Sequence, residues 1–265
     1  MNSNSSDIFS NAQAYEAYVG RWSHFVAHRF IAWLDIAPGR AWLDVGAGTG
    51  ILTQVILQQA PPTKVVAVDQ SEGYLEFARQ RIHDDRVEFR VSDAAAIAFE
   101  SPQFDVAVAG LVLNFVPSPE HAAKSMAQVV RSGGMVGAYV WDYSGQMQMM
   151  RHFWDAAIQV DPTAAEADAG GRFAICHPDN LRLLFQSVGL NAVDVIPIDI
   201  ETRFQNFDDY WLPFLRAQGS VYKYLHSLTD ETLTTIRDQL QKQLPTADDG
   251  TIPLIARAWA VKGQK

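Results

Sequence analysis

The sequence predicts an α/β fold in which a doubly wound parallel sheet is covered by helices on both faces. Three observations predict it. Strand-like and helix-like segments alternate along residues 41–141. The strands read as nearly continuous Val, Ala and Leu runs rather than one-in-two patterns, so both of their faces are expected to be covered. A turn with three alternate glycines, Gly46-Ala47-Gly48-Thr49-Gly50, follows the first strand directly and leads into a helix.

A helix is expected over 11–34, where Tyr15, Tyr18, Val19, Trp22, Phe25, Val26, Phe30 and Leu34 recur near the 3.6-residue period. Pro38-Gly39 ends it. Residues 41–45 form the first strand, 46–50 the turn and 51–59 a helix stopped by Pro61-Pro62. A strand over 65–68 follows, and Ser71 caps a helix over 72–81. Strands are expected over 87–91 and 105–113, then a helix over 119–131 stopped by Gly133-Gly134, then a strand over 135–141. Beyond this point the rhythm changes. Residues 147–160 read as an amphipathic helix, followed by an Ala/Asp/Gly loop to Phe173. A helix over 178–188 stops at Gly189, a long β-like stretch covers 193–204, helices cover 207–217 and 230–244, and a last strand covers 251–261.

The chain has 265 residues, 48% hydrophobic and 19% charged, which suits one large globular domain, or one core domain with an inserted cap. Its one cysteine, Cys176, allows no internal disulfide and agrees with a cytoplasmic location. The N-terminus has neither a basic start nor an apolar run, so no signal peptide is expected. No apolar run approaches the ~20 residues of a spanning helix, so no membrane partner is expected. The formal net charge is -9, and Arg79, Arg81, Arg86 and Arg90 are interleaved with Asp84, Asp85 and Glu88. That is a solvated surface, not a footprint for a phosphate backbone, and no nucleic-acid partner is expected.

Open parallel sheets bind ligands beyond the carboxyl ends of their strands. Three segments fall there. The glycine turn permits close backbone approach. Asp69, at the end of the second strand, offers a carboxylate to a pair of ribose hydroxyls. Asp93, after the third strand and before Ala94, offers one to an adenine amino group. A dinucleotide fingerprint, G-x-G-x-x-G from Gly46, would need glycine where Ile51 stands; the third glycine here is Gly50.

The run Trp42-Leu43-Asp44-Val45-Gly46-Ala47-Gly48-Thr49-Gly50, then Val65-Val66-Ala67-Val68-Asp69-Gln70-Ser71, then Ser92-Asp93-Ala94, resembles the class I S-adenosylmethionine-dependent methyltransferases, closest to the branch that methylates small molecules. The resemblance implies a Rossmann-like, seven-stranded, mostly parallel sheet with an antiparallel C-terminal strand and helical cap insertions. It implies one methyltransferase domain over 1–265, with a cofactor-binding core at about 36–143 and caps at about 1–34, 144–176 and 205–248. It implies S-adenosylmethionine as cofactor, with Gly46, Ala47, Gly48 and Gly50 lining its methionine and ribose part. Asp69 would hold the ribose and Gln70 flank the adenine, while Asp93 and the Ala94 backbone read the adenine edge. Leu111 to Asn114 would lie beside the sulfonium. Residues 15–22 are similar to a helix that covers the cofactor in some members; there Arg21 would pair with the methionine carboxylate and Tyr18 close over it.

Methyl transfer is an in-line displacement, so the protein's main task is orientation, worth roughly 7–11 kcal/mol. The stretch Leu113-Asn114-Phe115-Val116-Pro117 lacks the double proline of the Asp/Asn-Pro-Pro-Tyr/Phe motif, which argues against adenine N6 and glutamine methylation. Large apolar residues in the insertions (Phe153, Trp154, Tyr210, Trp211, Phe214 and Tyr222) suggest a cap around a small, partly apolar acceptor, or simply the packing of the extra helices. His24, His28, His152 and His177 are the histidines weighed as bases; none is assigned, and no metal site is expected. Two other readings stand beside the small-molecule enzyme: a cofactor-binding protein without methyl transfer, acting as a sensor or degenerate member, and a methyltransferase acting on protein or RNA, which would need an open basic groove.

Overall fold

The computed structural model describes residues 16–97, 99, 101–216 and 220–265. Its strands are β1 Ala41–Val45, β2 Lys64–Asp69, β3 Val87–Val91, β4 Phe104–Gly110, β5 Val130–Trp141, β6 Asn191–Phe204 and β7 Ile252–Gln264. The principal helices are α1 Arg21–Leu34, α2 Ile51–Gln59, α3 Glu72–Arg81, α4 Pro119–Val129, α5 Gln148–Val160, α6 Pro178–Ser187, α7 Phe207–Arg216 and α8 Asp230–Gln243. Residues 11–15 of the expected first helix, and 217 of the expected 207–217 helix, lie outside the described residues. Among the described residues no helix is long and apolar enough to cross a membrane.

The seven strands form one sheet in the order β3-β2-β1-β4-β5-β7-β6. β1 to β5 pair in parallel, and β7 runs antiparallel between β5 and β6. This is the mostly parallel, Rossmann-like sheet with an antiparallel last strand that the sequence predicts. The chain leaves β1 toward β2 and β3, then crosses back to β4 and β5. A crevice therefore opens beyond the carboxyl ends of β1 and β4, where the strand order reverses.

Alternate residues of the strands enter two separate cores, which is why the strands are apolar throughout. Trp42, Val65, Val106, Val108, Tyr139 and Trp141 face one core with Phe30 and Leu34 of α1 and Val55 and Ile56 of α2. Leu43, Val45, Val66, Val68, Ala107 and Ala138 face the other with Met126 of α4 and Phe185 of α6. Helix starts follow their local chemistry: Ser71, Ser118 and Thr229 each accept a backbone N–H in the first turn of α3, α4 and α8.

The differences from the sequence reading lie at element ends. β4 stops at Gly110 rather than at residue 113, because Leu111 turns into the left-handed region at φ 61°. β5 begins at Val130 and runs through Gly133-Gly134, which sequence assigned to a stop. Helix α4 indeed ends before them, but Gly133 donates to Lys265 and Gly134 accepts from it, so both glycines join a bulge that pairs β5 with the chain's end. The loop expected up to Phe173 contains short helical turns at Pro162–Glu166 and Ala169–Arg172.

Candidate functional site

The glycine turn is built by its neighbours. The N–H groups of Gly46 and Ala47 both donate to the Val68 carbonyl, at 2.7 and 3.0 Å, which ties the end of β1 to the end of β2. Gly46 has φ 71°, and a Cβ there would overlap the side chain of Val112 in the turn after β4. Gly48 has φ 53° and faces no side chain: a Cβ there would meet only the Gly46 carbonyl, at 3.9 Å. The first position needs glycine for a close approach within the fold, the second for backbone conformation beside open space. Gly50 starts α2, whose first N–H groups therefore face the turn.

Two carboxylates stand under this turn. Asp69 accepts the N–H of Gly48 on Oδ2 at 2.9 Å and that of Ser71 on Oδ1 at 2.8 Å. Partial burial pushes its pKa up against those bonds. Asp44 is 1% exposed; its Oδ2 accepts the Thr53 hydroxyl at 2.6 Å, and its Oδ1 is buried without a partner. Burial pushes the Asp44 carboxyl up to about 7, with the Thr53 bond opposing and the Asp69 charge adding. Sequence recorded Asp44 only as part of a pattern; its buried, half-unsatisfied carboxylate is visible only once α2 is folded over it.

The remaining expected residues divide into two groups. Gln70 is exposed after β2. Asp93 Oδ1 accepts the Ala95 N–H at 2.8 Å and caps the single turn Ala94–Ala96, which Ser125 of α4 holds through the Ala95 carbonyl. Leu111 donates its N–H to Tyr139 across to β5. Asn114 is 8% exposed, and its Nδ2 has no partner. These join the turn at the carboxyl ends of β1 to β4. Tyr18 and Arg21, by contrast, bond to the extra helices. The Tyr18 hydroxyl donates to Met150 Sδ of α5 at 2.9 Å, and burial, with Tyr143 and Tyr210 nearby, pushes its pKa well up. Arg21, expected at the methionine carboxylate, pairs with Asp209 of α7 at 2.8 Å and lies 4.7 Å from the Trp22 ring and 4.8 Å from that of Phe204.

The aromatics of the insertions pack one another. Phe153 stacks on Phe214 at 4.9 Å, Trp154 lies against Tyr224, and Tyr210 donates its hydroxyl to the Met149 carbonyl. Phe153, Trp154, Tyr210 and Phe214 have no exposed surface. Of the histidines, His24 and His28 lie on α1, His177 lies 3.9 Å from Asp179, and His152 is lowered by burial.

A cavity of about 580 Å³ opens after β5, lined by Ser144, Gly145, Arg151 and Gly170. Another of about 460 Å³ lies beside Phe207, Arg237 and Gln241. The glycine turn lines neither; its ligand space is the open crevice above Gly48. That crevice, the unpartnered Asp44 Oδ1 and the helix N-terminus beside it suit a zwitterionic, ribose-bearing ligand.

Comparison with known proteins agrees. The family described as "Methyltransferase domain" matches residues 43–137. The ubiquinone/menaquinone biosynthesis C-methyltransferase UbiE of Cupriavidus pinatubonensis is 30% identical over 178 residues, covering 62% of this chain and 72% of that protein. The chain belongs to the class I S-adenosylmethionine-dependent methyltransferases. Its cofactor is accordingly S-adenosylmethionine. An arsenite methyltransferase of Halobacterium salinarum is 25% identical over 211 residues, and this methyltransferase spans half of that protein's length. In fold, it is similar to phosphoethanolamine N-methyltransferase 2 of Haemonchus contortus, solved with S-adenosyl-L-methionine, at TM-score 0.60 and 14% identity, over 99% of this chain and 57% of that one.

Proposed function

We propose that this methyltransferase transfers its methyl group to a small molecule. The observation that carries the reading is the roof over the carboxyl ends of β4 and β5. The inserted turns at Ala169–Arg172 and the following Phe173 reach over Phe115 and Tyr143, at ring distances of 5.5 and 5.7 Å, which suits a confined acceptor better than a broad groove. The net charge of -9 also disfavours an RNA substrate. Relatives named for arsenite and quinone methylation support a small acceptor.

In this reading a single domain holds the cofactor on about 36–143, with 1–34, 144–176 and 205–248 as caps. Gly46, Ala47, Gly48 and Gly50 line the methionine and ribose part. Asp69 receives the ribose hydroxyls on the lone pairs its backbone bonds leave free. Gln70 flanks the adenine, and Asp93 and the Ala94 backbone meet its edge. Leu111 and Asn114 border the reacting centre. Tyr18, just before α1, and Arg21, its first residue, act at one remove, fastening this segment to α5 and α7. When bound, the cofactor supplies an electrophilic methyl group on a sulfonium; the protein's residues align an electron-rich atom with it and exclude water.

The test is transfer of tritiated methyl from the labelled cofactor into fractions of a cell extract separated by size. Label is expected in the small-molecule fraction. Label confined to protein or RNA would overturn the reading, as would binding of S-adenosylhomocysteine with no transfer to any fraction.

A further inference from the structure

We propose that Phe115, Phe173 and Tyr143 form the face on which the acceptor lies, and that Asn114 donates a hydrogen bond to one of its oxygens, so that the acceptor is a planar, oxygen-bearing ring compound. This deepens the small-molecule reading and rests on it.

The three rings come from three separate segments and meet at one mouth. Phe115 follows the β4 turn and is 63% exposed, the largest exposure among the large apolar side chains of the described residues. It forms an edge-to-face pair with Phe173 at 5.5 Å and 81°. Phe173 belongs to the insertion, and its ring lies 5.7 Å from that of Tyr143, two residues beyond the end of β5. The same β4 turn packs Val112 against Gly46, so this mouth adjoins the cofactor crevice. A phenylalanine that stays 63% exposed while paired with a second ring keeps ring surface open to a flat partner, and offset or edge contacts between rings are favoured geometries.

The platform is fastened before any ligand arrives. Arg151 of α5 donates through Nη1 to both oxygens of Asp168, at 2.9 and 2.8 Å, and to the Tyr143 carbonyl at 3.2 Å. Asp168 in turn accepts the Gly170 N–H at 2.8 Å, setting the turn that leads to Phe173. The Arg172 guanidinium lies 4.7 Å from the Phe173 ring centre, so a positive charge stands at the mouth. A free ammonium acceptor would meet that charge unfavourably.

Asn114 supplies the polar requirement. Its residue is nine-tenths buried beside Phe115, yet Nδ2 has no acceptor. A buried donor without a partner costs stability until something pairs with it. An oxygen lone pair satisfies it; an ammonium has no lone pair to give.

The experiment measures binding to the protein saturated with S-adenosylhomocysteine, by ligand-observed NMR, of three matched probes. These are 4-hydroxybenzoate (planar, oxygen-bearing), trans-4-hydroxycyclohexanecarboxylate (oxygen-bearing, not planar) and benzylamine (planar, cationic). 4-Hydroxybenzoate is expected to bind at least tenfold tighter than either control. Phe115→Ala and Phe173→Ala are each expected to weaken it at least tenfold while leaving S-adenosylhomocysteine affinity within about twofold, which shows that the fold and cofactor site persist. Asn114→Asp, which keeps the shape and removes the donor, is expected to weaken both hydroxy acids at least tenfold and to leave the preference for the planar one in place. Equal binding of the three probes, tighter binding of benzylamine, or indifference to both phenylalanine substitutions would overturn the proposal. Methylation of aliphatic small molecules alone would sink it and leave the small-molecule reading standing; transfer only to macromolecules would sink both.

Discussion

Asp69 binds the backbone N–H of Gly48 through Oδ2 at 2.9 Å, so the carboxylate that ends β2 also sets the glycine turn that follows β1. Its other oxygen holds Ser71 at 2.8 Å and thereby the start of α3. One side chain thus fixes two walls of the crevice before any ligand is present.

Replacing it separates these tasks. Asp69→Ala leaves two N–H groups without their acceptor, and a hydrogen bond to a charged group is worth about 1.5–3 kcal/mol. Ligand-free protein is expected to lose about 1–3 kcal/mol in urea unfolding. Affinity for S-adenosylhomocysteine, measured by calorimetry, is expected to fall at least tenfold. Wild-type affinity in this variant would show that the ribose lies elsewhere.

The contact between Gly46 and Val112 gives a second test. Gly46→Ala places a methyl group into Val112 and forces alanine to φ 71°. The conformation alone costs about 1–2 kcal/mol, and overpacking adds about 1–3 kcal/mol. Val112→Ala in the same chain is expected to restore the overpacking part and leave the conformational part. A double-mutant cycle reads this as a coupling of about 1 kcal/mol or more, and strict additivity of the two substitutions would refute the contact.

The part of the site legible in sequence is the part built from neighbours in sequence. The turn 46–50 and the strand ends carrying Asp69 and Asp93 could be read because a strand's end and a turn's spacing are local properties. The parallel sheet was legible because apolar runs such as Val65 to Val68 have no polar face. The partners of Tyr18 and Arg21 were not legible by the same means, since their bonds reach Met150 and Asp209 across most of the chain. Phe115 fell just beyond the expected strand 105–113 and carried no signal of its own; the strand ends earlier, at the left-handed Leu111, which no local preference announces, and Phe115 meets Phe173. The aromatic residues of the insertions carried no signal that distinguishes a binding pocket from a packed core, and Phe153 and Phe214 proved to be core.

Asp44 makes stability depend on pH in a direction opposite to that of an ion-paired carboxylate. Its ordinary value is 3.8, and burial raises it to about 7 in the folded protein. Between these values the native state holds a proton that the unfolded chain has released. The group's contribution is therefore complete below about pH 4 and is lost as pH rises to about 7, by at most ~1.4 kcal/mol per unit, with no further change above. Asp44→Asn removes the titration and still offers Thr53 an acceptor oxygen. Its stability relative to wild type is expected to rise between pH 4 and 7 and then level off, in urea melts without ligand. Parallel curves for the two proteins would mean that Asp44 ionises at its ordinary value.

Arg151 and Asp168 govern the insertion without touching the glycine turn. Their side chains are 17% and 12% exposed, so the pair is screened less than a surface ion pair. Removing Asp168 leaves Arg151 paired with Asp155 and the Tyr143 carbonyl but cuts its tie to the insertion turn. Asp168→Ala also removes the acceptor for the Gly170 N–H, so the turn Ala169–Arg172 loses its start. Hydrogen exchange followed by mass spectrometry is expected to show faster exchange over residues 161–176 and unchanged exchange over α2 and β1. Affinity for S-adenosylhomocysteine is expected to stay within about twofold, because Asp44, Asp69 and the glycine turn make no bond to this pair. Arg151→Lys keeps the charge but cannot reach Asp168, Asp155 and the Tyr143 carbonyl together, so it is expected to accelerate exchange to an intermediate degree. Exchange that speeds equally across the whole sheet would instead mark the pair as a support of the global fold, and unchanged exchange over 161–176 would show that aromatic packing alone holds the insertion in place.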